Sequence, residues 1–249
     1  MNKLFRIRIS SWNAQGGFRK KSQLLDFLLS STEPNILLIQ EQGTIGGTGY
    51  QIDENFCIGD TAYTCKLLCA DPFAKVHRCT TAIMVEDKLL PHIKDIGYKE
   101  NSTGRPMCYV KLASGVMIAT IHATANSEIS IGEVKEMISE LDQDDSDWIF
   151  MGDFNSRPFD YDVGDRVLTA NIEQCIQYEG TSRNSKYCNI IYDSQPTQGS
   201  EGKRYNYLDF AFTNENHSFR VYRITNQMVY HENGTNCSDH NLIQLSVGV

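Results

Sequence analysis

The sequence predicts an α/β protein built from two packed β-sheets of mixed strand direction, flanked by helices. Three observations predict it. Apolar runs of strand length outnumber helical patterns, hairpin-like connections occur alongside a helical crossover, and Ile36-Leu37-Leu38-Ile39 is apolar at every position, as in a strand covered on both faces. The 249 residues, 41% hydrophobic and 22% charged, suit one domain spanning 1–249 with a sizeable core.

Met1 to Ile9 alternate apolar and basic residues with the period of a strand and lack the apolar centre of a signal peptide. Ser10 to Gly17 carries Trp12-Asn13 into a glycine turn. Gln23 to Leu29 has helical spacing and stops before Pro34, and Asn35 to Gly43 reads as a buried strand ending in Gln40-Glu41. From Thr44 to Arg78 the pattern is irregular and reads as a long excursion, either the wall of a substrate groove or an ornamented loop. Thr80 to Val85 is a strand. Met107 to Leu112 and Val116 to His122 form a hairpin turning at Ala113-Ser114-Gly115, so His122 ends a strand. Ile129 to Leu141 has the spacing of an amphipathic helix.

Trp148 to Met151 is a buried strand that Gly152 is expected to end by turning the backbone, which leaves Asp153 and Asn155 side by side. The plainer reading of Asp153 to Pro158 is an Asx-rich turn. Phe159 to Ser194 has no strong period, with a helix expected near Val167 to Gln177. Tyr205 to Phe212 reads as a strand with Asp209 inside it, Phe219 to Ile224 as another, and Cys237-Ser238-Asp239-His240 as a loop before the last strand, Asn241 to Val247.

Composition narrows the function. No apolar run approaches the ~20 residues of a membrane helix, which excludes a transmembrane anchor. The net charge of −8 offers no basic patch and weighs against a nucleic-acid partner, unless a bound cation supplies positive charge locally. Eight cysteines without a Cys-x-x-Cys pair argue against structural zinc; they and the sequons at Asn101, Asn216, Asn233 and Asn236 lean toward export, against free buried thiols and accidental sequons.

The polar residues expected at strand ends are Asn13, Glu41, His122, Asp153, Asn155, Asp209, Asp239 and His240. Carboxylates and amides are oxygen ligands for hard cations, and a phosphodiester needs its charge neutralised, a water aligned and a leaving oxygen stabilised. This set can supply all three. Each residue alone reads equally well as a cap, a turn or a satisfied structural side chain.

Trp12-Asn13, Gln40-Glu41, Ile121-His122, Gly152-Asp153-Phe154-Asn155, Leu208-Asp209-Phe210 and Ser238-Asp239-His240, in this order, resemble the motifs of the endonuclease/exonuclease/phosphatase superfamily. The resemblance covers Arg6 to Val247. Trp12-Asn13-Ala14-Gln15-Gly16, Ile39-Gln40-Glu41-Gln42-Gly43, Gly104-Arg105-Pro106, Ile121-His122-Ala123-Thr124-Ala125-Asn126 and Pro196-Thr197-Gln198 look like the cytolethal distending toxin B subunits, relatives of deoxyribonuclease I. The resemblance implies a four-layer α-β-β-α sandwich and a DNA endonuclease using Mg2+, Mn2+ or Ca2+. Glu41, Asn13 and Asp239 would lie at the metal; His122, Asp153, Asp209 and His240 would be catalytic; Asn155, Arg105 and Asn126 would bind substrate phosphate. It also implies separate toxin delivery subunits and a secreted effector acting inside a target cell, in its nucleus in one version of the reading.

Two departures stand out. Gly43 occupies the place of a DNA-contacting arginine, as in the toxin branch, and the Thr80 to Val85 strand holds no acidic partner for His122. A phosphoinositide or sphingolipid phosphoesterase is the rival within the same chemistry, although Tyr207-Leu208-Asp209-Phe210 lacks the Pro-x-Trp-x-Asp-Arg pattern of the inositol phosphatases. A non-catalytic binding module is the rival from another class.

Overall fold

The computed structural model describes residues 6–15, 33–41, 54–58, 61–70, 80–144, 146–158, 176–178, 188–191, 197–199, 206–214, 220–227 and 238–249. The strands are β1 (Arg6–Asn13), β2 (Ile36–Gln40), β3 (Glu54–Ile58), β4 (Thr61–Ala70), β5 (Thr80–Glu86), β6 (Ile93–Glu100), β7 (Pro106–Leu112), β8 (Met117–His122), β9 (Trp148–Asp153), β10 (Ile176–Tyr178), β11 (Cys188–Ile191), β12 (Asp209–Asn214), β13 (Arg220–Gln227) and β14 (Leu242–Gly248). One α-helix, α1 (Ser127–Asp142), lies among the described residues. The strands form two seven-stranded sheets, ordered β13-β14-β1-β2-β5-β4-β3 and β10-β11-β12-β9-β8-β7-β6.

Each sheet is antiparallel except for one central parallel pair, β1 with β2 and β8 with β9. A parallel pair brings both carboxyl ends to one edge, and an antiparallel neighbour adds its amino end to that edge. Hence Asn13 stands opposite Gln40, while His122 and Asp209 both stand opposite Asp153. The start of β14 pairs beside Ser11, which brings the preceding Asp239-His240 to the same rim. The polar residues collect there because of strand direction.

Period-two alternation sets which way these strands face. Ile7 and Ile9 of β1, Ile36 and Leu38 of β2, Ile118 of β8, Ile149 and Met151 of β9 and Ala211 of β12 share the apolar core between the sheets. The next positions of the same parity are Ser11 and Asn13, Gln40, Thr120 and His122, Asp153, and Asp209. The opposite face of the second sheet packs Trp148, Phe150, Phe210 and Phe212 against Val134, Met137, Ile138 and Leu141 of α1. Burial of these four drives the helix onto the sheet. Cys108 is packed in the inter-sheet core as a small apolar side chain.

Several expectations need correction. Gly152 does not end β9 but continues it, pairing with Ile121 on one side and Phe210 on the other. Its function is close approach, since a Cβ there would collide with the Ile121 carbonyl oxygen. Part of the Thr44 to Arg78 excursion is the β3–β4 hairpin at the edge of the first sheet; a register shift between Cys65 and Leu67 breaks the alternation that would have marked it. Strand β6 also goes unread, because an edge strand with most residues at least partly exposed carries no apolar period. Asp209 opens its strand and does not lie inside it. Ile176 and Gln177, placed in a helix from sequence, lie in β10, and the rest of that span, like the Gln23 to Leu29 helix, lies outside the described residues. The helical layer expected on the first sheet is therefore outside them as well. Of the sequons, Asn101 is buried together with its Nδ2, the atom a glycan would be attached to, so the folded chain does not present it; the other three lie outside the described residues.

Gly152→Ala should lower stability by about 1–3 kcal/mol, as overpacking does when the clash is with backbone. Urea unfolding reads this as a lower midpoint with an unchanged slope. An unaltered midpoint would mean that β8 and β9 are not this close.

Candidate active site

Asp153 is the centre of the rim. It is 1% exposed at the inner end of β9, and the neighbouring Phe154, fully buried on the opposite face, fixes the backbone on either side. Phe154 packs edge-on to Phe150 and Phe212 with ring centroids 5.2 and 5.1 Å away. Asp153 Oδ1 accepts the Asn155 backbone N–H at 3.0 Å, and Oδ2 accepts Asn13 Nδ2 at 2.8 Å. The Nε2 atoms of His122 and His240 each lie 3.7 Å from that same Oδ2. This is ion-pair distance without a hydrogen bond, and the two rings flank the carboxylate.

Glu41 follows β2 directly, with a left-handed backbone at φ 48°; Asn155 has φ 48° and Gln15 φ 47°. Such conformations cost about 1–3 kcal/mol each unless the surroundings fix them, and asparagine tolerates them best. At Glu41 the turn aims Oε1 to 3.3 Å from Asn13 Nδ2 and 3.7 Å from His122 Nε2. His122 is thus faced by Glu41 and Asp153, acidic neighbours from the strand ends and not from the Thr80 to Val85 strand.

On the other side, His240 Nδ1 lies 2.8 Å from Asp209 Oδ2, and its Nε2 is 3.6 Å from Asp239 Oδ1. Asp239 is gripped at two points: its backbone N–H donates to Gln15 Oε1 at 3.1 Å, and Oδ2 accepts Gln198 Nε2 at 3.0 Å. Thr197 Oγ1 accepts the N–H groups of Leu208 and Asp209 at 3.1 and 3.0 Å. Ser238 Oγ donates to the Asn13 carbonyl at 2.7 Å and accepts the His240 N–H at 3.0 Å, while Trp12 Nε1 donates to the His240 carbonyl at 3.2 Å. Gln15, Thr197, Gln198 and Ser238 hold the predicted residues in place, yet as lone polar residues in turns they carry no periodic signal.

The structure therefore gathers Asn13, Glu41, His122, Asp153, Asp209, Asp239 and His240, with Asn155 at the edge. Asn155 Nδ2 donates to the Ala123 carbonyl at 2.8 Å, and Arg105 Nη1 donates to the carbonyls of His122 and Ala123 at 2.7 and 3.2 Å. Asn126 sits at the N-cap of α1, where its Oδ1 accepts from Glu128 and Ile129, so only its Nδ2 remains for a substrate.

Four carboxylates face two imidazoles, an arrangement that favours a cation. Asp239 Oδ1 is buried with no hydrogen-bond donor among the described residues, the state of an oxygen suited to a metal. Asn13 fits less directly, because its Oδ1 already accepts the Gln15 N–H at 2.9 Å. Ligand atoms of Asp153, Asp209 and His240 also lie within 4.8 Å of one another. A cation there would compete with a proton. Burial opposes charge on His240, but the carboxylates of Asp209, Asp153 and Asp239 outweigh it and push its pKa up to about 10. For the Asp153 carboxyl burial acts in the other direction and raises the pKa, reinforced by Asp209 and opposed by His240 and His122.

Because the folded-state pKa of His240 is raised, its charge stabilises the fold fully below the ordinary histidine value and loses that effect as pH climbs towards about 10. In Asp209→Asn the imidazole should titrate closer to its ordinary range, followed by the NMR signal of His240 between pH 5 and 11. An identical titration in both proteins would show that Asp209 does not hold the proton.

No protein-family model and no curated protein sequence matches the chain. Solved structures do. CdtB, described as the biologically active subunit of cytolethal distending toxin, aligns over 97% of each chain with TM-score 0.62 at 19% identity. TDP2 of D. rerio, complexed with single-strand DNA product, aligns over 98% of this chain and 99% of its own with TM-score 0.58 at 14% identity. The human Nocturnin catalytic domain, with bound sulfate anion, aligns over 98% and 93% with TM-score 0.58 at 12% identity. The chain thus has the deoxyribonuclease I-like sandwich fold of the endonuclease/exonuclease/phosphatase proteins.

Proposed function

We propose that the chain is a divalent-metal-dependent phosphodiesterase that cleaves DNA as an endonuclease. The observation that carries the proposal is Asp153, a buried carboxylate oxygen 2.8 Å from Asn13 Nδ2 with an imidazole Nε2 at 3.7 Å on either side. Burying a carboxylate between two histidines is costly for stability alone; it is the layout of a base beside two proton donors. The specific substrate rests on the fold shared with CdtB and with a DNA-bound TDP2. A toxin-like role, with secretion and separate delivery subunits, extends the same reading by likeness to the toxin subunit.

In this mechanism Glu41 and Asp239 would hold a Mg2+ or Mn2+ ion, with Asn13 beside them. When bound, the ion neutralises phosphate charge and stabilises the leaving oxygen. Asp153 orients the attacking water and takes its proton, for which burial suits it by raising its pKa. His240, kept protonated by Asp209, donates Nε2–H to a phosphate oxygen, and His122 donates from the other side. Asn155, Arg105 and Asn126 bind the substrate phosphates, and Arg105 supplies a positive charge there in a chain whose net charge is −8.

Incubation with supercoiled plasmid and Mg2+ should give nicked circles, abolished by chelation and reduced about a hundredfold or more in Asp153→Ala and His240→Ala. Phosphate release from a phosphoinositide without nicking would replace DNA by a lipid headgroup; neither activity would leave a binding module.

Relief of carboxylate repulsion should also make the cation stabilise the fold. At one hundred times its dissociation constant a ligand adds about 2.7 kcal/mol, which for a chain of this size raises Tm by roughly 5–10 °C. Calorimetry with and without Mg2+ reads the shift, and Glu41→Gln should remove most of it. An equal shift in the variant would place the ion elsewhere.

A further inference from the structure

Glu133 is a carboxylate on α1 that is only 2% exposed, next to the apolar face formed by Val134, Met137, Ile138 and Leu141. A buried carboxylate persists only where donors meet it. Its Oε2 accepts the Thr124 backbone N–H at 2.7 Å, and its Oε1 lies 2.6 Å from Thr124 Oγ1 and 2.5 Å from Thr103 Oγ1. None of these hydrogen bonds goes to a residue of the rim.

The two threonines belong to different loops, and both loops lead to the site. Thr124 stands two residues after His122. Thr103 stands two residues before Arg105, in a loop shaped by Asn101, whose Oδ1 accepts the N–H groups of Thr103 and Arg105 at 3.1 and 2.9 Å, and by Gly104 at φ 82°. The loops meet again where Arg105 Nη1 donates to the His122 and Ala123 carbonyls. Asn155 Nδ2 also donates to Ala123. A closed circuit results, running from Glu133 through Thr103 and Arg105 to His122 and Ala123 and back through Thr124. The Thr124 N–H is a fixed donor to Oε2, whereas the two hydroxyls at Oε1 can donate or accept, Thr103 Oγ1 lying 2.8 Å from Asn101 Oδ1 as well; glutamine would replace one carboxylate oxygen by an NH2 group and rearrange these bonds.

We infer that Glu133 is a positioning residue that fixes His122 and Arg105 relative to each other, and so sets one half of the phosphate-binding donors from the far side of the second sheet. The functional part of this inference rests on the phosphodiesterase reading; the positioning part does not. Glu133 acts through Thr103 and Thr124 and touches neither substrate nor metal.

The test compares wild type with Glu133→Gln, and with Thr103→Val and Thr124→Val, which each remove one hydroxyl at nearly constant volume. The imidazole NMR signals of His122 and His240, assigned by their loss in His122→Asn and His240→Asn, report geometry without any activity. Plasmid nicking in Mg2+ at subsaturating substrate reports function. The expected result is that Glu133→Gln shifts the His122 signal and leaves that of His240 in place, with nicking reduced about tenfold to a hundredfold, as misplacement of binding groups by an ångström produces. The threonine variants should show the same pattern to a smaller degree. They also keep the test decisive if Glu133→Gln does not fold. A folded variant set in which His122 keeps its wild-type signal and nicking is unchanged overturns the inference. A shifted His122 signal alongside an inactive wild type would retain the positioning and remove the phosphodiesterase reading instead.

Discussion

The hydrogen bond from Asn13 Nδ2 to Asp153 Oδ2 joins the two sheets where their shared core ends, and the rest of the site is disposed about it. Both residues are 1% exposed, and one comes from each sheet. Just inside it lies a polar layer in which Gln40 Nε2 donates to Thr120 Oγ1 at 2.7 Å across the sheets and to Ser11 Oγ at 3.2 Å within one. Deeper still the contacts are apolar. The sandwich therefore changes from hydrophobic packing to directional bonding within two residues of each strand's end. A hydrogen bond to a charged group fixes both distance and angle, whereas apolar packing tolerates sliding. The relative position of the sheets at the rim is consequently set by the same carboxylate that faces both histidines.

That constraint explains why residues so far apart in sequence can be combined without a dedicated loop for each. Parallel central pairs in both sheets deliver four carboxyl ends to one edge, and β12 and β14 run the other way to deliver two amino ends. Side chains at the ends of packed strands move less than side chains on loops. Where the strands alone do not aim a group correctly, the backbone turns left-handed, as at Glu41, Asn155 and Gln15. These three positions lie beside the cluster, where their strain is held by the surrounding bonds.

What the sequence revealed and what it hid follow from the range of each signal. Strand runs such as Trp148 to Met151 announce themselves because every side chain is buried, and the parity of their inward positions extends to Asp153 without further information. The motif residues are legible as a set because strand ends are where polar residues interrupt apolar runs. The hairpin β3–β4 and the edge strand β6 were not, one because a bulge breaks its period and the other because exposure removes its apolar pattern. In sequence Gly152 looks like a turn because glycine is common in turns; the close Ile121 carbonyl that requires it comes from another strand. Gln15, Thr197 and Gln198 stand within the motifs that carry the resemblance, but their role of holding other residues, like that of Glu133, depends on partners in distant segments and has no local pattern.

The site also breaks the rules that stabilise the remainder of the molecule. A fold optimised for stability alone would not place Glu41, Asp153, Asp209 and Asp239 around two imidazoles at one rim, nor leave Asp239 Oδ1 buried without a donor among the described residues. Burial pushes Asp153 towards its neutral form and the histidines pull it back, a balance of opposing influences that leaves its pKa raised. The surrounding structure holds that balance by rigidity: Phe154 is locked among Phe150, Phe210 and Phe212 on one side of the strand, and Asn13 bonds the carboxylate on the other. A local conflict that packing maintains on both faces is the signature of a functional position, because relaxing it would take only a small rotation of one side chain. The apolar face of the strand therefore serves the polar one, and the stability of the aromatic cluster behind Asp153 is what keeps the carboxylate in a place it would not otherwise occupy.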